Sequence, residues 1–261
     1  MCLIGPAHDE SLHVMSFNLR HAGDGSWARR RPVMAELLGR EQPTLLGTQE
    51  GLYAQLKDIR RDLPDRYDWI GVGRAGGSRD EFVAVFYDTD RLDPIEFDHF
   101  WLSSTPAVIG SRSWGNRVVR MATWIRFADL RTGKEFVAVN THFDHLSENA
   151  RRRSAALVRE RVAGVTPVVL TGDFNTRATD SVSYDTLVAG GLTDTWPAAQ
   201  ERRTPLYATF HGYYPLVPNG DRIDWILVRG ATVAAAGINT FTHDGRYASD
   251  HLPVQALITL D

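Results

Sequence analysis

The chain has 261 residues, 43% hydrophobic and 23% charged, an ordinary globular composition that excludes a disordered, collagen-like or coiled-coil protein. Its 29 basic and 32 acidic side chains leave a formal charge of −3, so no global positive field exists to hold a long nucleic acid. The single cysteine, Cys2, excludes an intramolecular disulfide and a cysteine-based zinc site, and no run approaches the roughly 18 apolar residues of a membrane-spanning helix.

The start, Met1-Cys2-Leu3-Ile4-Gly5-Pro6, has neither the basic residues nor the apolar run of a signal peptide. The expectation is a cytoplasmic protein, with secretion through a removed leader as the alternative. Residues 1–11 read as a tail and 12–261 as a single domain, because no repeat, low-complexity run or charged linker interrupts them. Short β-branched and aromatic runs bounded by Gly, Pro or Asp predict the strands. Apolar residues at helical spacing predict the helices. In order these are strand Leu12–Asn18, helix Ser26–Arg40, strand Thr44–Glu50, helix Glu50–Asp62, and strands Tyr67–Val72, Phe82–Asp88, Val118–Asp129 and Phe136–His142. Helix Ser147–Val162, strand Val168–Asp173, helix Asp180–Ala189 and strands Arg222–Val228, Thr232–Thr240 and Val254–Leu260 complete the chain. Ten strands against four helices indicate two packed sheets with helices outside. The Pro/Gly-rich connections Gly71–Gly77, Ser103–Gly115 and Thr204–Gly220 are expected to form the rim of a pocket.

Apolar strands repeatedly end in polar groups. Val14-Met15-Ser16-Phe17 ends at Asn18, Leu45-Leu46-Gly47-Thr48-Gln49 at Glu50, and Pro167-Val168-Val169-Leu170 runs into Thr171-Gly172-Asp173-Phe174-Asn175. Phe136-Val137-Ala138-Val139 runs into Asn140-Thr141-His142-Phe143-Asp144-His145. Side chains two apart on an extended chain face the same way, so Asn140, His142 and Asp144 form one row and Asp173 and Asn175 another. Asp224 sits in an apolar strand and needs a partner, because an unpaired buried carboxylate is costly; a histidine is the obvious candidate. Asp250-His251 precedes the last strand. Carboxylates without thiolates suit a hard cation, Mg²⁺ or Mn²⁺, and histidines, amides and arginines suit a phosphoryl group. Together they point to metal-assisted attack of water on phosphorus.

On these residues the sequence resembles the endonuclease/exonuclease/phosphatase superfamily of metal-dependent phosphoesterases, from Val14 to Val254. The motifs that carry the resemblance are Ser16-Phe17-Asn18, Gln49-Glu50, Asn140-Thr141-His142, Gly172-Asp173-Phe174-Asn175, Arg222-Ile223-Asp224 and Ser249-Asp250-His251, in the family's order. Ser26-Trp27, Phe100-Trp101-Leu102-Ser103 and Arg120-Met121-Ala122-Thr123-Trp124 resemble a bacterial branch near the deadenylases. The fold this implies is a four-layer α/β sandwich, two mixed β-sheets flanked by helices, like that of DNase I.

The resemblance also implies roles. Glu50 would be the principal ligand of Mg²⁺ (or Mn²⁺), with Asn18 beside it and Asp250 a second ligand or orienting group. Asp173 would orient or deprotonate the attacking water, and Asn175 would hold the phosphate or the nucleophile. His142 and His251 would donate to phosphoryl oxygens, and Asp224 would fix the tautomer of His251. Arg120, Asp144 and His145 would stand beside the substrate. Where abasic endonucleases carry an Asp two residues after the first Asn, this chain has Arg20, which would face substrate phosphate instead; the contributions of Glu81 and Tyr87 stay open. The runs Arg29-Arg30-Arg31 and Arg151-Arg152-Arg153 have two readings, a solvated helix face or a phosphate clamp through Arg30 or Arg151.

The acidic balance favours a compact phosphorylated substrate, such as a nucleotide, sugar phosphate or lipid headgroup, bound by a monomer. A nuclease for single-stranded or nicked nucleic acid is the alternative within the same chemistry. A non-catalytic phosphate-binding module is the alternative of another class.

Overall fold

A computed structural model describes residues 2–261. The first half of the chain forms β1 (Ser11–Asn18), α1 (Trp27–Glu41), β2 (Leu45–Gln49), β3 (Gly51–Leu52), α2 (Tyr53–Asp62), β4 (Tyr67–Ile70), β5 (Glu81–Phe82), β6 (Val85–Asp88) and β7 (Leu92–Trp101). The second half forms β8 (Met121–Asp129), β9 (Glu135–His142), α3 (Glu148–Arg161), β10 (Val168–Asp173), α4 (Val182–Ala189), β11 (Thr193–Asp194), α5 (Thr195–Ala198), β12 (Glu201–Arg202), β13 (Asp224–Arg229), β14 (Ala231–Ile238) and β15 (Val254–Leu260).

Two mixed sheets result, one ordered β12-β14-β15-β1-β2-β6-β4 and the other β11-β13-β10-β9-β8-β7. Period-two alternation builds four layers from them. In β1, Leu12 and Val14 join Leu45, Ile125, Phe127, Val169 and Ile226 in the core between the sheets. The alternate residues Met15 and Phe17 pack outward against Met34, Leu37 and Leu38 of α1 and Leu56 and Ile59 of α2. On the other sheet Val137, Val139 and Leu170 face Ala155 and Val158 of α3 and Leu187 of α4. This is the α/β sandwich expected from the sequence. Among the described residues no helix is long and apolar enough to cross a membrane.

The expected strands and helices are present with their ends moved by a few residues, and the expected strand at Phe82–Asp88 divides into β5 and β6. The ten-residue β7 was not expected. It forms the edge of its sheet, where one face meets solvent and Pro94 is tolerated, so its Asp93, Glu96 and Asp98 hide the apolar alternation that marks a buried strand.

Near the ends of β2, β9 and β10 the space between the sheets is polar. Gln49 Nε2 donates to Asn140 Oδ1 at 2.8 Å, and Asn140 Nδ2 donates to the Thr48 carbonyl at 2.7 Å. Here the sheets approach so closely that a Cβ on Gly47 would lie 2.1 Å from Thr171 Oγ1.

The segment ahead of β1 is tied to the domain. The amides of Leu3, Ile4 and Gly5 donate to the Glu41 carboxylate, and buried His13 donates from Nδ1 to the Gly5 carbonyl at 2.8 Å. Burial holds His13 down at about 4, against a partial offset from Glu41. The folded state therefore keeps His13 neutral where the unfolded chain, at 6.5, takes up a proton, and stability is lost as pH falls from about 6.5 to 4. His13→Gln should flatten that decline by up to about 3 kcal/mol. Urea unfolding at pH 7 and 4.5 checks this, and an equally steep loss in the variant would rule His13 out.

Candidate active site

Strand register assembles the centre of the site. Asp173, the last residue of β10, pairs with His142 on parallel β9 and with Asp224 on antiparallel β13. Across the interface, parallel β1 and β2 end together at Asn18 and Gln49, and Glu50 follows at once. Phe174 is fully buried and stacks on Trp225 at 4.2 Å, which anchors the chain between Asp173 and Asn175 so that both flanking polar groups turn to the cleft. Glu50, Asn175 and Arg20 all adopt left-handed backbone (φ 64°, 50° and 51°), a local strain of the kind that collects at functional sites.

Asp173 is the hub. Its Oδ2 accepts from Asn18 Nδ2 at 2.9 Å and lies 3.4 Å from His142 Nε2 and 3.8 Å from His251 Nε2. Its Oδ1 accepts from the Asn175 backbone N–H at 2.9 Å. Asn18 Nδ2 also donates to Glu50 Oε1 at 2.9 Å, while Asn18 Oδ1 accepts from the Arg20 N–H. The Asn18 amide nitrogen thus bridges two carboxylates and its oxygen faces away, unlike the arrangement expected of a metal ligand. His251 Nδ1 meets Asp224 Oδ2 at 2.9 Å, the histidine partner that Asp224 needed. Thr209 Oγ1 accepts from the Asp224 N–H and fixes that backbone.

The two buried histidines sit in opposite fields. Burial and the Arg120 charge hold His142 well below its ordinary value, as a neutral imidazole. For His251 burial acts downward, but Asp224, Asp173 and Asp250 outweigh it and push the imidazole up to about 10. Burial, then the charge of Asp224, pushes the Asp173 carboxyl up to about 7.

These groups line a cavity of about 330 Å³, together with Glu50, Arg74, Glu81, Arg120, His145, Asp250 and Phe210. Arg74 and Phe210 come from two of the three Gly/Pro-rich connections expected at the rim. Neither belongs to a sequence motif, and only the position of those connections pointed to them. Glu81 faces the cleft, held by Arg74 at 2.7 Å, whereas buried Tyr87 packs in the core against Phe127.

The remaining candidates lie elsewhere. β9 ends at His142, so Asp144 leaves the row expected of it and accepts from the amides of Leu146 and Ser147 at the start of α3. Arg151 donates to the Asp144 carbonyl and pairs with Glu148. Arg30 spends its guanidinium on the carbonyls of Leu19, Arg20, His21 and Ala248, and so braces the turn after Asn18. Arg20 pairs with Asp24 and, at 2.6 Å, with Asp250. A second cavity of about 550 Å³, beside Arg20, Tyr213 and Arg246, lies on that side.

For a cation, the donor set is a fit. Ligand atoms of Glu50, His142 and Asp173 lie within 4.8 Å of one another, and oxygen donors without thiolates suit Mg²⁺ or Mn²⁺. Asp250, already bound by Arg20, is less free to contribute.

The profile of the endonuclease/exonuclease/phosphatase family matches residues 15–251. The chain belongs to that family. Among solved structures it is similar to a mannosyl-6-phosphatase from Bacteroides thetaiotaomicron, with 37% identity and a TM-score of 0.89, over 95% of this chain and 100% of that one. A further family protein from Bacteroides thetaiotaomicron is 38% identical, with a TM-score of 0.90, over 96% of this chain and 98% of that one. The human Nocturnin catalytic domain shares the fold at 16% identity and a TM-score of 0.74, over 97% of this chain and 94% of that one. Comparison with curated protein sequences gives no match. The fold and the ordered motifs are thus those of the family's phosphoesterases.

Asp224 contributes most to holding His251 charged. Asp224→Asn should therefore bring the His251 titration down from near 10 into or below the ordinary histidine range. NMR titration of the ring resonances reads this directly, and an unmoved His251 would break the pairing.

Proposed function

We propose that the protein is a divalent-metal-dependent hydrolase of phosphate esters acting on a small phosphorylated molecule, with a sugar phosphate the favoured class. The observation that carries this reading is the arrangement around Asp173: a carboxylate facing a neutral and a charged imidazole, with Glu50 across the cleft. Glu50 and Asp173 would hold the ion, and Asp250 would join them only if Arg20 released it. A bound Mg²⁺ or Mn²⁺ supplies Lewis-acid polarisation and charge neutralisation at the phosphoryl oxygens.

The chain's own groups do the rest. Asp173 orients the attacking water and takes its proton. His251, kept as an imidazolium by Asp224, donates to a phosphoryl oxygen as negative charge develops there, and His142 and Asn175 add further donors. Substrate size follows from the cavity, whose roughly 330 Å³ suits one sugar ring and its phosphate better than a polymer. The mannosyl-6-phosphatase among the similar structures supports the same class. The charge of −3 weighs against a nuclease.

Three outcomes test this reading. Hexose phosphates should be turned over in a panel with Mg²⁺ or Mn²⁺ that also holds nucleotides, inositol phosphates, phospholipid headgroups, RNA and DNA. Preference for single-stranded nucleic acid, with a steep salt dependence, would transfer the protein to the nucleases. Asp173→Asn should lower turnover by at least about 100-fold while the protein stays folded, and near-normal turnover would remove Asp173 from the chemistry. Glu50→Gln should raise the Mg²⁺ concentration needed for half-maximal rate; an unchanged metal titration would deny it the ligand role.

A further inference from the structure

Arg120 was expected to touch substrate, yet its contacts run to two histidines. Nη1 lies 2.8 Å from His142 Nδ1, and Nη2 lies 3.2 Å from His145 Nδ1. Arg120 is only 6% exposed, and Glu81, 4.0 Å from Nη1, holds it from behind while Arg74 grips Glu81. A guanidinium has donors and no acceptor, so both Nδ1 atoms must accept. A neutral imidazole that accepts at Nδ1 carries its single proton on Nε2.

We propose that Arg120 is a positioning residue that fixes His142 in its Nε2–H tautomer, making His142 an oxyanion donor and excluding it as a metal ligand. The position of the proton follows from the guanidinium alone; the claim that a phosphoryl oxygen receives it rests on the phosphoesterase reading above.

At the other edge of the ring two nitrogens meet. His142 Nε2 is 3.0 Å from Asn175 Nδ2, whose orientation is set by its bond to the Phe143 carbonyl at 3.1 Å. With Nδ1 committed to Arg120, this approach is between two N–H donors, His142 Nε2–H and Asn175 Nδ2–H, with Asp173 Oδ2 the nearest carboxylate oxygen at 3.4 Å. Two converging donors are what an anionic oxygen satisfies and a cation does not. Although the ligand atoms of Glu50, His142 and Asp173 lie close enough to suggest a metal triad, Nε2 offers a proton in place of a lone pair. The carboxylates remain for the ion.

The test reads the proton itself. In ¹⁵N-labelled wild-type protein, with His142 assigned by its disappearance in His142→Gln, Nδ1 should resonate as the acceptor nitrogen and Nε2 as the protonated one. Added Mg²⁺ should leave that pattern in place. A proton on Nδ1, or a spectrum in which Mg²⁺ binds Nε2, overturns the proposal. Arg120→Gln, whose amide can also accept, should release the tautomer and lower kcat by about 10- to 100-fold with little change in KM, as for other supporting partners of a site. Arg120→Lys, again donor only, should restore the tautomer and part of kcat. If Arg120→Gln instead raises KM and spares kcat, Arg120 binds substrate and the proposal fails. Should Arg120→Gln not fold, the wild-type spectrum and the Lys variant still decide. A wild-type protein that hydrolyses no phosphate ester would defeat the phosphoesterase reading and leave the spectrum to judge the tautomer separately.

Discussion

The site depends on a register. His142, Asp173 and Asp224 lie side by side because β9, β10 and β13 pair in phase at their ends. A slip of one residue on any of these strands would turn its functional group to the opposite face, where α3 and α4 pack. Two devices resist such a slip. The stack of Phe174 on Trp225 locks β10 to β13 just beyond the row. Gly47 lets the second sheet come close enough for Gln49 and Asn140 to bond across the interface. That close approach brings Asn18 and Glu50 from one sheet to Asp173 from the other, so sheet packing and the assembly of the site are one event.

Once assembled, the cleft separates charge. His251 is flanked by Asp224, Asp173 and Asp250, and His142 by Arg120, so identical side chains are driven to opposite protonation states a short distance apart. Pairs of like groups pushed apart in this way mark functional roles more reliably than either group alone. The division fits hydrolysis at phosphorus, where a full positive charge and neutral donors are needed on different oxygens. Asp173 lies close to both rings, and its burial and the charge of Asp224 favour taking up a proton against the opposing pull of His251, Asn18 and the Asn175 N–H.

Much of this was legible in the sequence because the chemistry sits at strand ends. Asn18, Glu50, His142 and Asp173 each close an apolar run, and the topology of parallel strands gathers such ends at one edge, where Asp224 opens the antiparallel β13. The pairing of Asp224 with a histidine followed from the cost of burying a lone carboxylate. What could not be read were contacts set by tertiary approach. Asp144 stands at the right spacing from His142, but the strand stops before it and α3 claims its oxygens for unpaired amides. Arg30 and Arg151 carry the charge a phosphate clamp needs, and the fold spends it on carbonyls and a glutamate. Arg74 and Phe210 come from connections that sequence marks only as loops, and β7 shows an edge strand's solvent-facing acids in place of a core pattern.

The pairing of the arginines decides which carboxylates stay available to a cation. Arg20 binds Asp250, Arg74 binds Glu81, and Arg222 binds Asp194 beneath α5. Glu50 and Asp173 accept only from neutral amides and from Asn18, and no guanidinium reaches them within bonding distance among the described residues. Two acids held this close repel each other, and among the described residues only the His251 imidazolium, 3.8 Å from Asp173, offsets that repulsion. The residue two places after Asn18 matters for the same reason: an acid there would add a third negative charge to this edge, whereas Arg20 removes one by neutralising Asp250.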